Sequence, residues 1–318
     1  MSAPIGERLA LGTMTFGDTV DADVAGTMID VALDAGISMI DTANGYAGGA
    51  TESMLAELLE GRRDRVRLAT KAGMPHPDAG GRPPLSAAAL RASLEGSLRR
   101  LGVDHIDLFY LHQPDRATPL AETLGTVAEL VAEGKVGSLG VSNFAAWQIA
   151  EVNHVADRVG APRPVVAQQL YNLVARRLEE EYFEFAEATG LQTMVYNPLG
   201  GGLLSGRHRF GERPSEGRFG DSRLAGMYTE RYWNAELFAA IDTLGRIADE
   251  AGLPLSELAL RWLLGQERVS SMLLGGSKVS HLRANLAAAA RGPLPEDVVK
   301  ACAEVGVALR GPMPAYNR

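Results

Sequence analysis

Ser86-Ala-Ala-Ala-Leu-Arg-Ala-Ser-Leu-Glu-Gly-Ser-Leu-Arg-Arg-Leu101-Gly-Val-Asp-His-Ile-Asp107-Leu-Phe-Tyr-Leu111 reads as one helix followed by one strand. Leu90, Leu94, Leu98 and Leu101 make a stripe of helical period that starts after Ser86 and stops at Gly102. The apolar run at 107–111 follows within a short turn. The same alternation continues in both directions along the chain. Strands are expected at 9–12, 38–41, 67–70, 107–111, 137–141, 165–168, 193–196 and 272–274. Helical periodicity fills the intervals at 23–35, 121–133, 145–157, 179–189, 235–251, 256–266 and 280–290, and Leu55, Leu58 and Leu59 share a face behind Thr51 as N-cap.

Strand–helix alternation implies a parallel sheet, because parallel neighbours need crossover connections. Eight such units point to an α/β fold of the (β/α)8 TIM-barrel class, with an extended loop after strand 7. The doubly wound alternative announces itself with G-x-G-x-x-G after the first strand, and only a near miss, Gly200-x-Gly202-x-x-Ser205, occurs. Residues 1–318 are read as one domain. Two irregular stretches stand out, 73–84 and 200–230. The second carries Leu203, Leu204, Phe210, Phe219 and Tyr228, which favours packing over disorder.

Composition narrows the class of protein. The chain has 318 residues with 31 Lys+Arg against 39 Asp+Glu, a net charge of −8, and is 46% hydrophobic. Such an acidic chain repels phosphate backbones, so nucleic acid is not an expected partner. The single cysteine, Cys302, excludes an intrachain disulfide and a thiolate-rich metal site, and the six histidines are too scattered for a local metal motif. The N-terminus lacks a basic-then-apolar signal pattern, and the longest uncharged run, 188–206, holds five glycines and Pro198. A soluble, cytoplasmic protein without a membrane span is expected.

Side chains at the C-terminal ends of barrel strands converge on one face. Strand two ends in Asp41 and is followed by Tyr46; strand three ends in Thr70-Lys71; strand four ends in His112. Later strands contribute Ser142-Asn143, Gln168-Gln169, Asn197 and Gly275-Gly-Ser-Lys278. Each residue alone has an ordinary reading as a turn, a solvated charge or a buried histidine, but four ionisable groups on adjacent strand ends form a coherent set. A phenol is a poor acid near neutral pH, a nearby ammonium stabilises phenolate, and a carboxylate paired with that ammonium holds it in place. A histidine beside them can orient a carbonyl oxygen. This set polarises C=O and protonates the alkoxide, but no side chain supplies a hydride, so a cofactor is implied.

Asp41-Thr-Ala-Asn-Gly-Tyr46, Ala69-Thr-Lys71, Asp107-Leu-Phe-Tyr-Leu-His112 and Gly140-Val-Ser-Asn-Phe144 resemble, in order and spacing, the motifs of the aldo-keto reductases, over nearly the whole chain. The resemblance implies a (β/α)8 barrel that binds NADPH without a Rossmann domain and reduces aldehydes or ketones to alcohols. It implies Tyr46 as general acid, Lys71 and Asp41 as the pair that lowers its pKa, and His112 as the histidine that orients substrate. Ser142, Asn143 and Gln168 match the residues that hold the nicotinamide carboxamide. Tyr196 matches the ring that stacks on the nicotinamide, with ordinary core packing as its other reading.

The second half resembles the aflatoxin-aldehyde reductase and succinic semialdehyde reductase branch. The carrying stretches are Leu111-His-Gln-Pro-Asp115, Tyr196-Asn-Pro-Leu-Gly-Gly-Gly-Leu-Leu-Ser-Gly206, Gly217-Arg-Phe-Gly220, Met227-Tyr-Thr-Glu-Arg-Tyr-Trp233 and Pro314-Ala-Tyr-Asn-Arg318. This implies that Asn197, Leu199, Gly201, Leu203, Ser205, Arg207 and Arg218 line the cofactor pyrophosphate. Met14, Arg231, Trp233 and Arg318 are placed at the substrate, where the arginines favour a carboxylate-bearing aldehyde; a solvated tail is the other reading of Arg318. Gly275, Ser277, Lys278, His281 and Asn285 match the segment that grips the adenosine 2′-phosphate. His281 departs from the Arg that many members carry, which weakens that grip. The potassium-channel β-subunits, which resemble active reductases, make a nicotinamide-binding regulatory subunit the alternative, and a sugar or polyketide ketoreductase is a third reading. The branch also implies a C-terminal tail over the active-site face, and a homodimer.

Overall fold

The computed structural model describes residues 5–311. Eight strands form a closed barrel in chain order: β1 (Leu9–Gly12), β2 (Met39–Asp41), β3 (Arg67–Ala72), β4 (Ile106–Leu111), β5 (Val136–Ser142), β6 (Val166–Leu170), β7 (Gln192–Tyr196) and β8 (Ser271–Leu274). All neighbours are parallel, and β8 closes the ring on β1 in the register Leu9↔Met272, Leu11↔Leu274. The TIM-barrel expectation is therefore met, with strand ends within two residues of those read from the sequence.

Successive side chains of a strand point to opposite faces, so each strand feeds two cores. Ala10, Ala69, Leu108, Tyr110, Val166, Met194 and Leu273 fill the barrel interior. Leu9, Leu11, Leu68, Phe109 and Leu111 belong to the larger core between barrel and helices. That alternation fixes where function lies. Two residues beyond interior Met39, Ala69, Tyr110, Val166 and Met194 come Asp41, Lys71, His112, Gln168 and Tyr196. The interior column turns from apolar to polar at its C-terminal end.

The helices are α1 (Ala22–Asp34), α2 (Ala50–Leu58), α3 (Ala87–Leu101), α4 (Leu120–Ala132), α5 (Ala146–Val159), α6 (Tyr182–Thr189), α7 (Ala225–Tyr232), α8 (Ala235–Glu250), α9 (Leu255–Leu264), α10 (Val279–Ala289) and α11 (Glu296–Arg310). Helix α3 ends at Gly102 with φ 65°, as its stop signal requires. Ser86 stands at its N-cap position, but its hydroxyl donates to the Pro83 carbonyl and leaves Ala87 N–H to Glu122. Thr51 is not an N-cap: it lies inside α2, where its hydroxyl donates to the Phe16 carbonyl at 2.7 Å.

Two helices escape the periodicity reading. α7 lies within the irregular stretch after β7, and α11 follows α10. The loop after β7 is long but structured, with 3-10 turns at Gly200–Ser205 and Gly217–Phe219 before α7. Its Leu203, Leu204, Phe219 and Tyr228 are buried, whereas Phe210 stays exposed at its edge. The stretch after β3 holds a 3-10 turn at Pro77–Ala79. The expected C-terminal tail, with Arg318, lies outside the described residues. Among the described residues no helix is long and apolar enough to cross a membrane.

Candidate active site

The C-terminal end of the interior column gathers Asp41, Lys71, Gln168, His112 and, from the loop after β2, Tyr46. Lys71 is fully buried at the end of β3, a long cation among apolar side chains, and burial alone would drive off its proton. Its ammonium donates to an Asp41 carboxylate oxygen, and to the Thr42 carbonyl at 2.8 Å. Gln168 donates to the other Asp41 oxygen at 2.8 Å. Burial opposes the charged form, but the attraction of Asp41 and of Tyr46 outweighs it, so the Lys71 pKa is raised. The cation is thus held in place and held charged.

That charge lies 5.2 Å from the centre of the Tyr46 ring. Burial raises the Tyr46 pKa, Lys71 pulls it down and Asp41 pushes it up again; the net direction is upward. Lys71 acts directly on the phenol, whereas Asp41 acts by anchoring Lys71. A phenol so placed keeps its proton at neutral pH. His112 meets Tyr46 edge-on at 6.1 Å between ring centres. Burial, then the Lys71 charge, lower its pKa to about 3, so its imidazole is neutral. Its Nδ1 is buried and has no hydrogen-bond partner among the described residues.

Beside this group the ends of β5, β6 and β7 are linked by side chains. Ser142 donates to the Gln168 carbonyl at 2.9 Å. Asn143, at φ 62°, donates to the His112 carbonyl at 3.0 Å and accepts from the Tyr196 hydroxyl at 2.6 Å. Gln168 is 3% exposed with its amide nitrogen directed at Asp41. The structure therefore brings Ser142, Asn143 and Tyr196 together beside His112, and ties Gln168 to the Lys71–Asp41 pair.

The loop after β7 forms the next wall. Asn197 accepts from Gly201 N–H at 2.7 Å and donates to the Tyr232 hydroxyl at 2.8 Å. Gly201 has φ 72°, and a methyl there would come within 2.7 Å of the Tyr228 ring, so glycine is required twice over. Leu199 starts the 3-10 turn, Leu203 is buried beneath it, and Ser205 donates to the Gly202 carbonyl while accepting from Arg207 Nε at 3.0 Å. Across from this turn, Gly275, Ser277 and Lys278 are exposed ahead of α10, with His281 half-buried and Asn285 buried. Burial, then the nearby charges of Arg207 and Lys278, lower the His281 pKa. Ser280 is inside the helix, and Lys278 holds the N-cap position without a side-chain cap. This wall, with a backbone turn open at glycine and a basic group of Arg207, Lys278 and His281, fits a polyanion such as a dinucleotide cofactor.

Arg218 joins the face at the other side. It donates to the Tyr228 hydroxyl at 2.8 Å and lies 3.9 Å from the Met14 sulfur. Arg231 is exposed, near Met227 and 6.0 Å from the Tyr228 ring. Its charge also acts on Tyr196, whose pKa burial raises to about 12. Trp233 packs beside them: its indole donates to the Phe210 carbonyl at 3.0 Å and its ring meets Phe219 and Phe238. Of the other tryptophans, Trp262 is buried in the core, whereas Trp147 is 61% exposed. The sequence reading assigns no role to Asn172 and Tyr228. Tyr228 carries Arg218 and Arg231 on its ring, and buried Asn172 donates to the Asn197 carbonyl and to Tyr232.

The aldo/keto reductase family model matches residues 8–306. The chain is 36% identical to aflatoxin B1 aldehyde reductase member 2 of Rattus norvegicus, covering 99% of the chain and 89% of that relative. It is likewise 36% identical to aldo-keto reductase family 7 member A3 of Homo sapiens, over 97% and 96%. A probable voltage-gated potassium channel subunit beta of Arabidopsis thaliana is 30% identical over 90% of the chain and 88% of that relative.

Proposed function

Because the chain belongs to the aldo/keto reductase family, we propose that it is a cytoplasmic, NADPH-dependent enzyme that reduces aldehydes and ketones, with Tyr46 as the proton donor. The observation that carries this reading is the buried Lys71–Asp41 pair beside the phenol, 5.2 Å from its ring centre. When bound, the nicotinamide supplies the hydride. Tyr46 holds a proton at its hydroxyl and gives it to the carbonyl oxygen as negative charge develops there. Lys71 opposes the rise in the phenol's pKa that burial imposes, and so makes that proton easier to give. Neutral His112 presents a ring N–H to the same oxygen and fixes its direction without adding a competing charge. In this reading residues 1–318 act as one reductase domain, paired with a second copy as a homodimer.

Arg207, Lys278 and His281 would hold the cofactor's phosphates, with the glycine turn at Gly201 admitting the pyrophosphate. His281 is held neutral, so the preference for NADPH over NADH rests mainly on Lys278 and Arg207. Exposed Arg231 favours substrates with a carboxylate. A nicotinamide-binding regulatory subunit is the second reading, supported by the similarity to a channel subunit beta.

One assay tests this reading. NADPH oxidation is followed with succinic semialdehyde and with a neutral aromatic aldehyde, for the parent protein, Tyr46→Phe and Arg231→Ala. Tyr46→Phe is expected to lower turnover by about 10²–10⁴-fold with unchanged cofactor affinity. Arg231→Ala is expected to erase a preference for the acid. Parental turnover in Tyr46→Phe would remove Tyr46 from the mechanism, and absence of oxidation with any carbonyl would favour the subunit reading.

A further inference from the structure

Below the face that carries the tetrad lies a second, separate set of buried charges. Glu52, on the first turn of α2, is fully buried, yet the reaction outlined above has no use for it. One of its oxygens accepts from the Thr70 hydroxyl at 2.6 Å and the other from Arg100 Nε at 2.9 Å. Arg100, from α3, reaches on to Asp78 at 2.9 Å, and Asp78 lies 3.2 Å from His76. The irregular stretch after β3 thus ends on this guanidinium.

Taking a carboxylate fully and a guanidinium mostly out of water carries a desolvation cost, so such a pair is a poor way to gain stability alone. Its position explains it better. Thr70 precedes Lys71 on β3, and Glu52 follows the short turn that carries Tyr46. That turn runs through three consecutive left-handed residues, Ala47 at φ 46°, Gly48 at 65° and Gly49 at 98°. The two glycines take this region readily, but Ala47 holds it only where its surroundings over-determine it. Arg100 lies directly against it: a methyl on Gly49 would come within 3.0 Å of its Cδ and Nε.

We propose that Thr70, Glu52 and Arg100 are positioning residues that clamp the Tyr46 turn to the strand bearing Lys71, and so set the phenol–ammonium separation on which proton transfer depends. The clamp acts through the backbone at both ends and touches neither substrate nor cofactor. It rests on the reading of Tyr46 as proton donor.

The test compares Thr70→Val, which keeps the shape but loses the donor, with Thr70→Ser, which keeps the hydroxyl, and adds Glu52→Gln, which keeps the size but loses the charge. Each is assayed well below its measured Tm for kcat, for NADPH affinity by fluorescence titration and for the pH dependence of kcat. Thr70→Val and Glu52→Gln are expected to lose about tenfold or more in kcat. Their cofactor affinity stays within about twofold, and the pH limb belonging to Tyr46 moves. Thr70→Ser recovers kcat to within about twofold of the parent. A parental kcat and pH limb in Thr70→Val, whatever its Tm, would reduce the network to a structural one and overturn the proposal. If Glu52→Gln does not fold, the two Thr70 variants decide alone. Tyr46→Phe run alongside separates the two levels of argument. An inactive Tyr46→Phe with a fully active Thr70→Val sinks the clamp only, whereas a fully active Tyr46→Phe sinks the reading of Tyr46 and the clamp with it.

Discussion

His112, half-buried with its Nδ1 shut from solvent, illustrates how one side chain converts environment into a pH dependence. In the unfolded chain its imidazole titrates near 6.5, but in the barrel burial and the Lys71 charge lower it to about 3. The unfolded state therefore binds a proton first as the solution is acidified. Stability from neutral His112 is complete above pH 6.5 and is lost progressively as the pH falls toward 3. By pH 5 the loss amounts to about 2 kcal/mol. His112→Gln removes the titrating group, so the drop in unfolding free energy between pH 7 and pH 5 should shrink by that amount in urea titrations. An unchanged drop would mean that another group carries the acid sensitivity. The same neutrality separates the roles of the tetrad: His112 orients, and the proton that moves belongs to Tyr46.

At the scale of elements, α7 joins the cofactor wall to the substrate side. Tyr232, at its C-terminal end, accepts from both Asn172, at 3.2 Å, and Asn197, at 2.8 Å. Asn197 in turn fixes the Gly201 turn, and the same helix carries Tyr228 and Arg231. Tyr232→Phe takes one acceptor from buried Asn172, which keeps the Asn197 carbonyl, and one from half-buried Asn197, a cost of about 1–3 kcal/mol. It should weaken NADPH affinity through the loosened turn, read by titration, while the Tyr46 pH limb stays in place; unaltered affinity would detach α7 from the cofactor site. The sequence makes the barrel and the tetrad legible for one reason. Period two in the strands places Asp41, Lys71 and His112 on the same interior column as Ala69 and Tyr110, so polarity at strand ends is informative. α7 is less visible because eight residues hold barely two turns, and its buried pair, Tyr228 and Tyr232, is one helical repeat. In α11 the stripe Val298, Cys302, Val305 has helical spacing and could have been read. The Tyr46 turn lies beyond pattern reading, because Ala47 gives no local signal for a left-handed backbone and Arg100, distant in sequence, supports it.

The molecule as a whole separates a ring that closes on itself from a helical coat that must be fastened to it. Hydrogen bonds between β8 and β1 close the barrel without α11, which packs mainly on α8. The fastening is Arg176, in the loop after β6. Its guanidinium lies 4.9 Å from the Trp262 ring of α9 and donates to the Cys302 carbonyl of α11 at 3.1 Å. It also pairs with Glu179 at 2.6 Å, and Glu179 takes Arg310 at the end of α11 at 2.6 Å as well. One mostly buried cation thus serves the loop, α9 and α11 together. Arg176→Met keeps the apolar stem but abandons the Cys302 carbonyl and the Glu179 carboxylate. The amides of α11 should then exchange with solvent about a hundredfold faster in native-state hydrogen exchange. The amides of β3 and β4, which hold Lys71 and lead to His112, should keep their protection, and turnover should persist, because the tetrad stands on β2 to β4, away from this corner. Equal acceleration in α11 and in the barrel strands would mean that coat and ring open as one cooperative unit.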